Sequence, residues 1–247
     1  FGQDGPRAGQ PGYDLLIQGM SGIMDITGDA GGEPQKMGVA FADIFTGLYG
    51  VIGVQAALAE RQKTSRGQHI DLALFDAMSA VLANQALNFM VSGTAPSRKG
   101  NRHPNLVPYE VFACADGHLI IATGNDRQFA ALCTVLGLHD LPEDPAYASN
   151  AARIENVEAL AGKINAAASW FRRAELIDQL LAAGVPAGPI NTIAQAQADP
   201  QFQHRSVAIE PEGVPGLRTP LNFSESPLRV TKTAPALGAS TFDDLDW

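Results

Sequence analysis

Asp43 occupies a distinctive setting for a carboxylate. It follows the small, apolar run Gly38-Val39-Ala40-Phe41-Ala42 and opens a strongly hydrophobic stretch. Ile44, Leu48, Val51, Ile52, Ala56 and Ala59 recur at helical spacing behind it, so the acid falls near the predicted start of a long buried helix. Backbone N–H groups at a helix start stabilise an anion, and equally the oxyanions formed when a carboxylate attacks a carbonyl. A simple N-capping aspartate accounts for the same spacing. A second candidate is Arg102-His103, in a loop dense with polar groups, where the cation would receive a substrate carboxylate. A solvated linker accounts for that pair as well.

Other polar groups have simpler roles. His69 and His118 fall in predicted strands and read as structural; Asn125-Asp126-Arg127 reads as a helix cap that would also reach a ligand. Arg61, Lys63 and Arg66 suit either a phosphate or the solvated end of a helix. No nucleophile elbow, P-loop, HExxH or complete GxGxxG is present. Cys114 and Cys133 have no CxxC partner and no Cys/His cluster, which predicts free thiols in a reducing compartment and no metal site.

The elements that must hold these residues follow from periodicity. Tyr13 to Met24 carries a helical apolar stripe, and Thr27 to Lys36 is a polar Gly/Pro loop. The long helix from Asp43 ends in the basic stretch before Gly67. Gln68 to Phe75 alternates as a strand, and Asp76 caps a helix running to about Val91. Residues 92–108 form a polar linker. Tyr109–Ala115 and His118–Thr123 read as a hairpin joined by Asp116-Gly117, and a helix capped by Asn125 or Asp126 then runs to Gly137. Residues 151–170 and 172–183 read as helices, and a short helix at 193–198 stops at Asp199-Pro200. Pro and Gly recur from Val207 onward, as suits isolated strands and an extended tail.

Composition narrows the function classes. The 247 residues are 45% hydrophobic, and 17 Lys+Arg against 26 Asp+Glu give a net charge of −9. That balance opposes nucleic-acid binding, and no apolar run reaches the roughly 18 residues of a membrane span, so the expectation is a soluble, cytoplasmic chain. The opening FGQDGP is turn chemistry without an initiator Met, as in a piece of a longer protein.

Four segments together resemble the family III coenzyme A transferases of the CaiB/BaiF type, the group of formyl-CoA transferase and the succinate–hydroxymethylglutarate enzymes, with the acyl-CoA racemases as a close branch. They are PGYDLLIQGMSGIMDITG at 11–28, GVAFADIFTGLYG at 38–50, TSRGQHIDLALFDA at 64–77 and GNRHPNLVPYEVFACADGHLIIATGNDRQF at 100–129. Thr64-Ser65 stands where the family usually has Thr-Gly. The resemblance implies an α/β fold: residues 1–100 as the rest of a Rossmann-like large CoA-binding domain, 101–205 as a small α+β domain, and 206–247 as a return linker. It also implies an interlocked homodimer, with the linkers at 92–108 and 206–235 suited to it, and further residues before Phe1 and after Trp247.

By position, Asp43 matches the family's nucleophile, Gln10, Pro11, Gly12 and Tyr13 match its coenzyme A contacts, and Asp14 matches a nearby acid; Asp14, Arg102 and His103 are the weaker substrate-binding candidates. The implied substrates are an acyl-CoA, succinyl-CoA or similar, and a carboxylic acid acceptor, with no permanently bound cofactor. Racemases carry a catalytic His where this chain has Tyr13, and a phenol is a poor proton shuttle near neutrality, which favours transfer over the alternative of racemisation. No glycine-rich loop follows Ser92, which disfavours formate and oxalate. Anhydride intermediates survive only away from water, which fits a nucleophile among Val39, Ala40, Phe41 and Ala42. The expectation for this piece alone is little or no activity, and a further alternative reads it as an inactive fragment that only binds or assembles.

Overall fold

Small residues decide where the first helices meet. The structure, a computed structural model, describes residues 1–239. Helix α1 (Asp14–Ser21) ends at Gly22, whose φ of 93° reverses the chain as only glycine does readily. Helix α2 (Phe41–Thr64) runs for 24 residues, and α3 (Leu74–Val81) and α4 (Ala83–Ser92) follow. Ile17, Ala42 and Met78, one from each of α1, α2 and α3, form the fully buried centre of a small cluster bordered by Phe1, Phe41, Leu74 and Phe75.

Three expectations for this part are corrected. Residues 68–73 are not a strand. They run alongside α2, where Leu72 and Ile70 lie within 3.3 and 3.5 Å of where a Cβ would sit on Gly50 and Gly53, so the alternating apolar residues pack on helix glycines instead of pairing with a neighbouring strand. The helix predicted from Asp76 starts at Leu74 and breaks after Val81, where Ala83 has a φ of 45° and α3 and α4 meet at a 75° bend. No Gly or Pro marks that break in the sequence. Finally, α2 is not buried: Ala42 is its one buried residue, and the helix is long and apolar enough, by length and composition alone, to cross a membrane.

A larger core lies further along the same compact unit, Phe1–Gly188. Strands β1 (Tyr109–Cys114) and β2 (Gly117–Ala122) pair antiparallel with Cys114 opposite Gly117, so Ala115-Asp116 is the turn and Gly117 already belongs to β2. Strand alternation points Phe112, Leu119 and Ile121 inward, against α5 (Asp126–Leu136), α7 (Val157–Ala168) and α8 (Arg173–Ala182). Of the two candidate caps, it is Asn125 that caps α5, by accepting the Gln128 N–H, and Asp126 is the helix's first residue. The helix expected over 151–170 is split into α6 (Asn150–Glu155) and α7 at Asn156, whose side chain donates to the carbonyls of Ala146 and Ala152. Strand β3 (Ala187–Pro189) lies on the far side of β2 from β1.

The second unit begins at Pro189. Thr192 and Gln195 form a capping box on α9 (Ile193–Ala198); Asp199 then caps α10 (Pro200–His204), so Asp199-Pro200 ends one helix and starts the next. Strands β4 (Ala208–Ile209) and β5 (Gly216–Leu217) pair antiparallel, and Arg218 donates to the carbonyls of Arg205, Ser206, Thr219 and Leu221. The tail residues 240–247 lie outside the described residues.

Candidate active site

Asp43 is the third residue of α2, inside its first turn and past the N-cap position. The N-cap itself is Ala40, whose side chain offers no acceptor, so the first N–H groups of α2 must find partners elsewhere. One comes from α1: Asp14 Oδ1 accepts the Ala42 N–H at 2.8 Å. The other oxygen of that carboxylate accepts from Gln18 Nε2 at 2.7 Å, and Gln18 Oε1 accepts the Met37 N–H at 3.0 Å. The start of α2, and with it Asp43, is thereby tied to the start of α1. The fold thus brings the predicted residues Asp14 and Asp43 to one place.

Asp43 is exposed. Of the residues expected to wall it from water, Ala42 is buried and Phe41 half-buried, its ring 4.7 Å from that of Phe45, whereas Ala40 is exposed and Val39 is 56% exposed. Within this chain the carboxylate stands at the positive end of a helix dipole and open to solvent. A desolvated pocket is not built by these four residues.

Gln10, Pro11 and Tyr13 form an exposed approach to the same end of α1, with Gly12 half-buried against Leu74 and Ile17. Gln10 Oε1 accepts from Arg7, and Tyr13 provides the N-cap backbone of α1 with its ring 75% exposed. The surface is therefore accessible and carries an exposed aromatic side chain at the start of α1.

Arg102 and His103 lie elsewhere, on a cleft of about 200 Å³ that also takes in Arg98 and Lys99. Arg102 is held between Glu110 and Glu158, donating to both carboxylates at 2.6 to 3.4 Å. Hydrogen bonding from Glu158, then Glu110, raises its pKa against the cost of burial, and Arg102 lowers that of Glu158 in return. Its donors are spent on protein carboxylates, so it is not the free cation that a substrate carboxylate would need. His103 Nδ1 accepts the N–H groups of Asn105 and Leu106, and its ring stacks on Tyr109 at 5.0 Å. That histidine shapes the turn into β1.

Two residues escaped sequence reasoning. Gln18 is fully buried, and nothing in its helical spacing separates it from an ordinary solvent-facing glutamine. Arg153 is 1% exposed, donates to the carbonyls of Val107 and Tyr147 and to Asp126, and covers the Phe129 ring at 4.4 Å. Burial pushes the neighbouring Cys133 thiol up to about 11, which makes it unreactive.

Comparison with known proteins gives a consistent picture. The model of CoA-transferase family III matches residues 1–241. A succinate–glutarate CoA-transferase of Agrobacterium fabrum is 47% identical over 243 residues, covering 96% of this chain and 61% of that protein. An acetyl-CoA:oxalate CoA-transferase of Acetobacter aceti is 38% identical over 225 residues, covering 91% and 58%. Among solved structures, a CaiB/BaiF family protein from Brucella suis superposes with a TM-score of 0.85 at 53% identity, covering 97% of this chain and 63% of that one. The chain spans about three fifths of the length of the curated relatives it matches.

Proposed function

The chain belongs to CoA-transferase family III, and from that premise we propose that it carries the acyl-transfer centre of a succinyl-CoA-dependent dicarboxylate transferase, with Asp43 as the covalent carrier. The observation that bears most weight is the exposed Asp43 carboxylate on the first turn of α2, beside the Asp14–Ala42 junction. The substrate class rests on likeness: the relative at 47% identity is named for succinate and glutarate. The expectation against oxalate loses its force, because a relative named for oxalate stands at 38%; glutarate is preferred on identity, not on a loop.

The chemistry balances in four displacements. The Asp43 carboxylate attacks the thioester carbonyl of succinyl-CoA; the C–S bond breaks, leaving an aspartyl–succinyl anhydride and CoA thiolate. The thiolate attacks the aspartyl carbonyl and releases succinate, giving an aspartyl-CoA thioester. The acceptor carboxylate attacks that thioester, expelling thiolate and forming a second anhydride. Attack of the thiolate on the acceptor's acyl carbon releases the new acyl-CoA and restores Asp43. The N–H groups of Phe41, Ala42 and Ile44 are already bonded to Val39, Asp14 and Ala40, so it is the positive end of the α2 dipole that favours the oxyanion at each stage. Tyr13 and the Gln10–Gly12 approach offer the surface for coenzyme A.

Asp43 is open to water in this chain, and an anhydride is not stable there. We therefore assign the covering wall to residues of the longer polypeptide and to a second copy in a water-soluble, cytoplasmic homodimer. On that reading 1–100 belongs to the large CoA-binding domain, 101–205 to the small domain and 206–247 to a return linker, and residues 1–247 alone turn over little or not at all. The test uses the intact polypeptide that carries this sequence. Incubated with succinyl-CoA and quenched with hydroxylamine, it should yield a hydroxamate on the peptide containing Asp43, and Asp43→Asn should abolish both adduct and transfer to glutarate. Undiminished transfer by the Asn variant overturns the reading.

A further inference from the structure

We propose that Gln18 is a positioning residue for Asp43, acting through Asp14. The inference rests on Asp43 being the acyl carrier and adds the device that holds it.

Gln18 has no exposed surface, yet it sits on an eight-residue helix whose neighbouring side chains Leu15 and Leu16 are exposed. A polar amide is buried at a cost unless both its ends are paired. Here both are: Nε2 to Asp14 at 2.7 Å, Oε1 to the Met37 N–H at 3.0 Å. The orientation of the amide is dictated by chemistry, since a carboxylate only accepts and a backbone N–H only donates. Asp14, held by Gln18 through one oxygen, presents the other to the Ala42 N–H at 2.8 Å.

Two side chains one turn apart on α1 therefore grip the chain at Met37 and at Ala42 and leave the intervening Gly38-Val39-Ala40 exposed. Ala42 immediately precedes Asp43. Because Ala40 supplies no cap, Asp14 performs that task from a different helix, and Gln18 fixes the rotamer in which it can. If Gln18 is lost, Asp14 is free to turn away and the first turn of α2 frays, displacing the nucleophile. Misplacement by about 1 Å is enough to cost a rate of order a hundredfold.

The experiment uses the intact polypeptide. Gln18→Leu should lower kcat for succinyl-CoA-dependent transfer about a hundredfold, leave KM within about threefold, and speed hydrogen exchange at Met37 and Ala42 while exchange across Phe112–Ile121 is unchanged. Asp14→Asn and Gln18→Glu should each be impaired, because like groups then face one another. The double variant Asp14→Asn/Gln18→Glu exchanges donor for acceptor: the introduced asparagine amide donates to the introduced glutamate, whose other oxygen still accepts the Met37 N–H. That pair should recover most of the lost kcat, a rescue that mere loss of packing does not produce. The proposal is overturned if Gln18→Leu leaves kcat and exchange at Met37 and Ala42 unchanged, or if the exchanged pair fails to restore turnover. Absence of any Asp43 adduct in the unmodified protein overturns the acyl-carrier reading instead, and exchange at the two amides still reports whether the grip exists.

Discussion

The two acidic side chains nearest the proposed chemistry do different jobs because their partners differ. Asp14 is consumed by two hydrogen bonds, one from Gln18 within α1 and one from the Ala42 N–H of α2, whereas Asp43 is exposed on the helix turn that the second one caps. The same distinction between committed and free groups applies to the arginines. Arg153 is the one charged side chain that is buried among the described residues, and its value lies in the two carbonyls it satisfies, those of Val107 and Tyr147. Its ion pair with Asp126 counts for less, since that carboxylate side chain is 65% exposed, where water screens the attraction and can take the carboxylate's place. Arg153→Met should therefore cost about 3 kcal/mol by leaving both carbonyls unpaired, read as a shift in urea unfolding, while Asp126→Asn should cost under about 1 kcal/mol. Equal losses in the two variants would show that the ion pair, not the carbonyls, sets the stability. None of this was visible in the sequence: Asp43 and a cap at Asn125 or Asp126 announce themselves by what surrounds them in the chain, but Gln18 and Arg153 each need a partner far along it, Met37 at 19 residues and Val107 at 46.

Among the elements, those that fold on local signals were legible and those that depend on packing were not. The β1–β2 hairpin, the cap and glycine stop of α5, and the end of α9 at Asp199-Pro200 each follow from adjacent residues. The supposed strand at 68–73 shares the alternation of a strand, and only the glycines of α2 reveal why it lies on a helix instead. The hairpin turn also reaches outward. Asp116 Oδ1 accepts the N–H of Arg173, the first residue of α8, at 2.7 Å, so a turn residue caps a distant helix. That hydrogen bond, followed by the positive charge of Arg172, holds the Asp116 carboxyl below its ordinary range. A depressed carboxylate contributes stability above its unfolded pKa of about 4 and surrenders it as pH falls through the lower folded value. The difference in thermal midpoint between the unmodified protein and Asp116→Ala should thus be constant above about pH 5 and close as acid is added below about pH 4. A difference that widens on acidification would contradict the capping account.

For the molecule as a whole, the decisive feature is the exposed apolar face of α2. Ile44, Leu48, Val51 and Ile52 share one side of that helix and are each at least half exposed. Burying one such side chain is worth roughly 1.5–3 kcal/mol, so a stripe of four in water is a large unsatisfied driving force. Length and hydropathy alone would let the helix cross a bilayer, but α2 carries Asp43 on its first turn and Arg61 and Lys63 on its last, and its Ala42 belongs to the packed core with Ile17 and Met78. A helix docked by one end against two others suits a protein interface. The proposed assembly, in which a longer polypeptide and a second copy cover this face, makes a prediction that the membrane alternative does not share. The intact polypeptide should stay in the soluble fraction without detergent and sediment as a dimer, and Ile52→Glu, which puts a charge into the covered stripe without touching Asp14, Gln18 or Asp43, should shift it toward monomer or aggregate. Residues 1–247 alone should bind a hydrophobic dye strongly, and the intact polypeptide weakly. If Ile52→Glu leaves sedimentation and thermal stability unchanged, the face is not an interface, and the wall that must shield an Asp43 anhydride has to be sought on another surface.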